Sequence, residues 1–133
     1  MEDLVSVSWL AIVIAAVVKF AIGAAWYATP VFGKQWQAAA GIEPDPSVMP
    51  RAIVVGIIGD LIMAYILARF IGHYATDGLI AGAVVGAMAW LGFVATVMLG
   101  GMMYESRKMS LFYINGGYQL VGIVVMGAII GAM

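Results

Sequence analysis

The sequence predicts an all-α fold, an integral membrane bundle of four transmembrane helices with a short interfacial helix after the first. Three observations carry that prediction. Of the 133 residues, 65% are hydrophobic and only 10% are charged, and the mean hydropathy is +1.07, a composition far outside that of soluble domains. Polar punctuation divides the chain into four apolar runs, each near the ~20 residues that a hydrocarbon core of roughly 30 Å requires of a helix. The length leaves only short connections between them, so residues 1–133 are expected to form a single transmembrane domain.

The first span is expected over residues 5–28. Trp9 and the Trp26–Tyr27 pair lie about 25 Å apart at helical rise, the spacing of two interfacial aromatic belts. The start, Met1, Glu2 and Asp3, lacks the basic n-region of a cleaved signal peptide, so it is read as leading into that span. Thr29 followed by Pro30 has the form of an N-cap and first helical residue, and Gly41 that of a C-cap, so a short interfacial helix is expected over residues 30–40. It would be anchored by Phe32 and Trp36, four residues apart on one face. The polar, proline-rich residues 41–50 read as a loop. The second span is expected over 51–73, the third over 78–104 with Asp77 as its cap, and the fourth over 110–132 after a charged turn.

Composition also excludes functions. The formal net charge is −1 with scattered basic residues, so nucleic-acid binding is not expected. Cysteine is absent, which removes disulfides, thiolate catalysis and thiolate-bound metals. Met98, Met102 and Met103 could suggest a soft copper site, but packing is the simpler role for ten methionines with a single histidine, and no metal or other cofactor is expected. Serines 6, 8, 47, 106 and 110 lie near ends or in loops with no base and orienter in view, so no catalytic residues are assigned and an enzyme is not expected.

Lys34, Arg51, Arg107 and Lys108 gather at one end of the spans, and only Arg69 at the other, beside His73 and the acidic N-terminus. The excess of basic residues marks the cytoplasmic side, which places both termini outside the cytoplasm. The same imbalance argues against dual topology.

A polar layer crosses the apolar runs. Lys19 is nine residues from the end of the first span, about 14 Å deep, and Asp60 is nine residues into the second, which runs back from the same side. Thr96 and Gln119 fall at comparable depth, and Asn115, Tyr118 and Gln119 share a helical face by their spacing of three and four. A lone charge at mid-bilayer costs about 2.5–3.5 kcal/mol on insertion scales, so Lys19 and Asp60 are expected to face inward and pair. Two readings of that layer stay open. Lys19, Asp60, Thr96, Asn115, Tyr118 and Gln119 could bind or pass a small solute or ion, with Tyr65 contributing to an organic ligand; or the pair could be a clip fixing helix register in a structural subunit. Gly23 in the first span, Gly78, Gly82 and Gly86 in the third, and Gly127 and Gly131 in the fourth read as close helix packing, with a surplus stripe that could serve a homodimer. The expected partners are thus the lipid bilayer, a second copy, and a small solute or ion.

The segments "GAAWYATPVFGKQW", "EPDPS", "FVATVMLGGMMYES" and "LFYINGGYQLVGIVVMGAIIG" together resemble the small bacterial membrane-protein family known as domain of unknown function 1761, over nearly the whole chain. The most specific parts are Trp26–Tyr27 with Phe32, Gly33 and Trp36, and Asn115-Gly116-Gly117-Tyr118. The resemblance implies a four-helix protein of the bacterial inner membrane and carries no established activity. Family members often place histidine where this chain has Gln119, a departure that favours hydrogen bonding over a proton relay at that position.

Overall fold

The computed structural model describes residues 8–42, 45–73 and 78–133, with His73 described for its backbone only. Four helical stretches are long and apolar enough to cross a membrane: Trp9–Trp26, Met49–Gly72, Leu79–Glu105 and Met109–Ala132, with mean hydropathies of 2.1, 2.0, 2.0 and 1.5. No strand occurs among the described residues. The chain is an all-α bundle of membrane-spanning character.

Helix α1 (Trp9–Trp26) starts at Ser8, whose hydroxyl accepts the Ala11 N–H at 3.1 Å. After Ala28 the chain turns through a π-helical segment, Thr29–Gly33, into the short helix α2 (Lys34–Ala40). The cap differs from the expectation for Thr29. Ala28 is the N-cap, and its carbonyl, aimed forward by an extended ψ of 147°, accepts both Val31 N–H at 2.9 Å and Gly33 N–H at 3.0 Å. Main chain therefore satisfies the donors that a threonine hydroxyl would have taken. A Cβ at Gly33 would lie 2.6 Å from the Tyr27 carbonyl, so the turn closes only around glycine. Gly41 ends α2 in the left-handed region at φ 70°, where glycine carries no steric penalty.

Helix α3 (Met49–His73) begins two residues before the expected boundary, with Pro50 in its first turn. In the loop before it, Ser47 N–H and hydroxyl both donate to Asp45 Oδ1, at 3.0 and 2.7 Å, and hold that carboxyl below the usual carboxylate range. The expected cap Asp77 lies outside the described residues. The third span is not one continuous α-helix: α4 (Leu79–Ala89) passes through a π-helical turn, Trp90–Ala95, into α5 (Thr96–Glu105). Ser106 closes α5 at φ 55°, and Arg107 N–H reaches back to Met102 O at 3.0 Å. The last helix, α6 (Met109–Ala132), completes the bundle.

α6 is the hub, packed against α1, α3, α4, α5 and α2. Ile12, Ala15 and Ala16 of α1, Ala64, Leu67, Ala68 and Ile71 of α3, and Ile123 and Met126 of α6 form the buried core. This core fills the half of the bundle away from the α2 end. The closest approach is between α4 and α6: a Cβ on Gly82 would run into the Gly127 carbonyl, one on Gly127 into the Gly82 carbonyl, and one on Gly86 would come 2.6 Å from Ile123 O. Gly131 abuts the Gly78 carbonyl, and Gly78 N–H donates to Gly131 O at 2.9 Å. Lipid supplies no hydrophobic drive between helices, so contact area from bare backbone takes that role.

Gly82→Ala is expected to lower stability by about 1–3 kcal/mol through overpacking. Gly100, which has nothing within 4 Å of an added Cβ, should accept alanine with no loss or a gain of up to about 1 kcal/mol from helix propensity. Thermal unfolding of both variants in one detergent checks the contrast.

Candidate polar site at the bundle centre

Lys19 and Asp60 meet where α1, α3 and α6 converge. Lys19 Nζ lies 2.8 Å from Asp60 Oδ1 and donates a second bond to the Tyr118 hydroxyl at 3.1 Å. The ammonium also stands 4.5 Å from the Tyr118 ring centroid, within cation–π range. The Tyr118 hydroxyl in turn donates to the Lys19 carbonyl at 3.2 Å. Lys19 is 2% exposed and Asp60 7%, so an ion pair, a phenol and a backbone carbonyl form one closed cluster.

Two glycines make the space. A Cβ at Gly122 would lie 2.9 Å from Lys19 Cγ, and one at Gly23 would lie 2.8 Å from the Tyr118 hydroxyl. Gly23 thus seats the phenol, while Gly122 seats the lysine stem along α6. Neither role follows from the glycine spacing that the sequence displays.

Aromatic rings roof the cluster toward α2. Trp26 packs on Phe32 at 4.9 Å and near Tyr118 at 6.4 Å, and Tyr27 meets Trp36 and Tyr118 edge-on at 5.4 and 5.6 Å. Their polar ends turn inward onto α6: Trp26 Nε1–H donates to Ile114 O at 2.9 Å and the Tyr27 hydroxyl to Asn115 Oδ1. These residues tie α1 and α2 to α6 in addition to any interfacial role. Trp9 is different: it is 64% exposed and stacks on Tyr65 at 5.5 Å.

The structure therefore sorts the candidate residues into three groups. Lys19, Asp60 and Tyr118 are joined directly. Asn115 is taken by Tyr27, and Tyr65 receives Arg69 Nη1–H at 3.0 Å. Thr96 does not reach the layer: its side chain is on the exposed face and its hydroxyl bonds back to Gly92 O at 2.9 Å. That is the local alternative a threonine always has in a helix. The missed residue is Trp90, whose indole N–H donates to Gly116 O at 3.0 Å from the start of the π-helical turn. A tryptophan in mid-span needs a partner for its N–H, which is the signal that could have found it.

Two acceptors remain open. Asp60 has no donor to its second oxygen among the described residues, and its side chain keeps 11% of its surface. Gln119 Oε1 is buried without a hydrogen-bond partner among the described residues, a state few native groups tolerate. Asp60 also marks a boundary in α3. The face that is buried at Ala64, Leu67 and Ile71 is uncovered at Ile53 and Gly56, and every residue from 49 to 59 is exposed. The buried stretch of α3 therefore begins at Asp60.

Four apolar spanning helices around a central ion pair define a multi-pass membrane protein. The chain belongs to the family described as "Protein of unknown function (DUF1761)", which matches residues 10–131. No curated protein and no solved structure matches it.

Lys19→Met alone strands Asp60 and should cost about 3–5 kcal/mol, whereas Lys19→Met with Asp60→Leu should return close to wild-type stability. Chemical unfolding of the two variants beside wild type checks the difference.

Proposed function

We propose that this protein is a binding protein embedded in the bacterial inner membrane, which holds a small cationic or hydrogen-bond-donating solute at the Asp60 layer. The observation that carries this reading is Asp60 Oδ2, which has no donor among the described residues and lies where the buried stretch of α3 begins; Gln119 Oε1, one residue after Tyr118 on α6, is a second buried acceptor without a partner among those residues. In a region of low dielectric, an unpaired carboxylate oxygen and an unpaired amide oxygen are costly. A donor that reaches them is bound through charge-assisted hydrogen bonds. Lys19 is then the resident counter-ion with which the solute competes.

Binding is favoured over passage. Beyond the layer, Ile12, Ala15, Ala16, Ala64, Leu67, Ile71, Ile123 and Met126 close the bundle with side chains, and the aromatic rings roof it toward α2, so access is lateral, past the exposed residues 49–59 of α3. The excess of basic residues at the α2 end supports a cytoplasmic position for that end, with both termini outside the cytoplasm. No covalent chemistry is assigned. The competing reading is a structural subunit with the pair as a clip, favoured by the full enclosure of Lys19. The α4 and α6 glycines are engaged within the chain, so a homodimer through them is not part of the proposal.

Native mass spectrometry from mild detergent tests the reading. Wild-type protein is expected to retain a reproducible non-lipid mass that Asp60→Asn and Gln119→Leu both lose. Protein that carries no such mass, with a Lys19→Met/Asp60→Leu variant that unfolds readily, would establish the clip instead. For orientation, the cysteine-free chain accepts a single Ser47→Cys. In intact cells a membrane-impermeant thiol reagent should leave it unlabelled, and labelling would reverse the assignment.

A further inference from the structure

The polar groups left open around Asp60 narrow the kind of solute that suits it. Both are acceptors. Asp60 Oδ1 receives Lys19 Nζ at 2.8 Å while its second oxygen receives no donor among the described residues, and Gln119 Oε1 is buried without one among the same residues. The donors of the cluster are turned inward on its own acceptors. Lys19 Nζ also reaches the Tyr118 hydroxyl at 3.1 Å, and that hydroxyl donates to the Lys19 carbonyl at 3.2 Å. What the site lacks is a hydrogen-bond donor.

Charge decides which donor. Lys19 and Asp60 form an ion pair with no net charge, so a cation on the second oxygen would leave one positive charge uncompensated near mid-bilayer. On insertion scales a lone charge at that depth lowers occupancy on the order of a hundredfold. The other carboxylates among the described residues are remote, Asp45 in the loop before α3 and Glu105 at the end of α5. A neutral donor carries no such penalty and leaves Lys19 in place. The route selects as well. Ile53, Gly56 and Ile57 precede Asp60 by seven, four and three residues, share its helix face, and are all exposed. An added Cβ at Gly56 would meet nothing within 4 Å, so the turn before the carboxylate is open. Asp60 lies eleven residues after Met49, the start of a spanning helix, or about 16 Å along its axis. A solute that reaches this opening sideways passes through acyl chains.

We propose that the Asp60 site takes a small uncharged lipophile bearing a hydroxyl or N–H donor, such as a phenol or alcohol. It enters from the bilayer past Gly56 and donates to Asp60 Oδ2 while Lys19 stays on Oδ1. The inference rests on the reading of Asp60 as a solute site, and it chooses between the two kinds of solute that reading allows.

Three photoactivatable aryl-diazirines test it on the full chain in phosphatidylcholine bilayers: a phenol, its methyl ether and the corresponding benzylammonium, at equal mole fraction in the membrane. At about pH 7 the phenol is neutral and the amine charged. Mass spectrometry reads the labelled fraction and, after digestion, the labelled residues. The phenol should label residues 53–60 of wild-type protein about tenfold more than the ether, the scale of one hydrogen bond to a charged acceptor. The ammonium should not exceed the ether. Lys19→Met/Asp60→Leu, the matched apolar pair, should abolish the excess. Gly56→Leu, which fills the opening and leaves the ion pair untouched, should lower it about fivefold; an unchanged excess would overturn the lateral route. Stronger labelling by the ammonium that the double variant removes would overturn the neutral class and leave Asp60 a cation site. Equal labelling by phenol and ether, or an excess that persists in the double variant, would overturn the proposal. The reading of Asp60 as a solute site falls with it only if the isolated protein also retains no mass that Asp60→Asn loses.

Discussion

The ion pair between Lys19 and Asp60 is the constraint around which the bundle is organised. Two full charges near mid-bilayer are tolerable only when each is matched, because the desolvation of an isolated ion in hydrocarbon exceeds any single packing gain. Matching fixes the relative depth of α1 and α3. The second bond of Lys19, to Tyr118, then fixes α6 against both. Once that geometry is set, bulk at Gly23 or Gly122 has to displace the phenol or the lysine stem, which occupy the space a side chain would need.

α6 carries most of the specificity. One face receives the polar cluster, a second receives the glycines of α4, and its carbonyls at Ile114 and Gly116 take indole N–H groups from Trp26 and Trp90. Indoles that bridge to another helix anchor it without introducing an unpaired polar group. The π-helical turn at Trp90–Ala95 begins at the second of these indoles, in keeping with the tendency of such turns to mark functional or strained positions in long helices.

The two halves of the molecule differ in kind. On the side of Ile12, Leu67 and Met126 the helices close into a core, and dispersion between well-packed side chains holds them together. On the side of α2 the first half of α3 stands apart, and order comes from the aromatic cluster on α6. The open acceptor of Asp60 falls at the junction between these regimes, where a side chain can be buried by one neighbour and still lack a partner from another.

By itself, the sequence determined the solvent, the number of spans, their approximate limits and the presence of charges that have to pair. These follow from local quantities: hydropathy over about 20 residues, caps and breakers, and the price of a charge in lipid. Gly41 as a C-cap, and Lys19 with Asp60 as partners, needed no tertiary knowledge. Only the tertiary structure decided that Thr96 turns outward to its own helix, that Tyr27 claims Asn115, that Gln119 Oε1 is buried without a partner among the described residues and that Trp90 serves α6. Depth along a helix can be counted from the sequence, but rotation about its axis is set by which neighbour packs there. A π-helical turn shifts that rotation in mid-span without a mark that hydropathy can register.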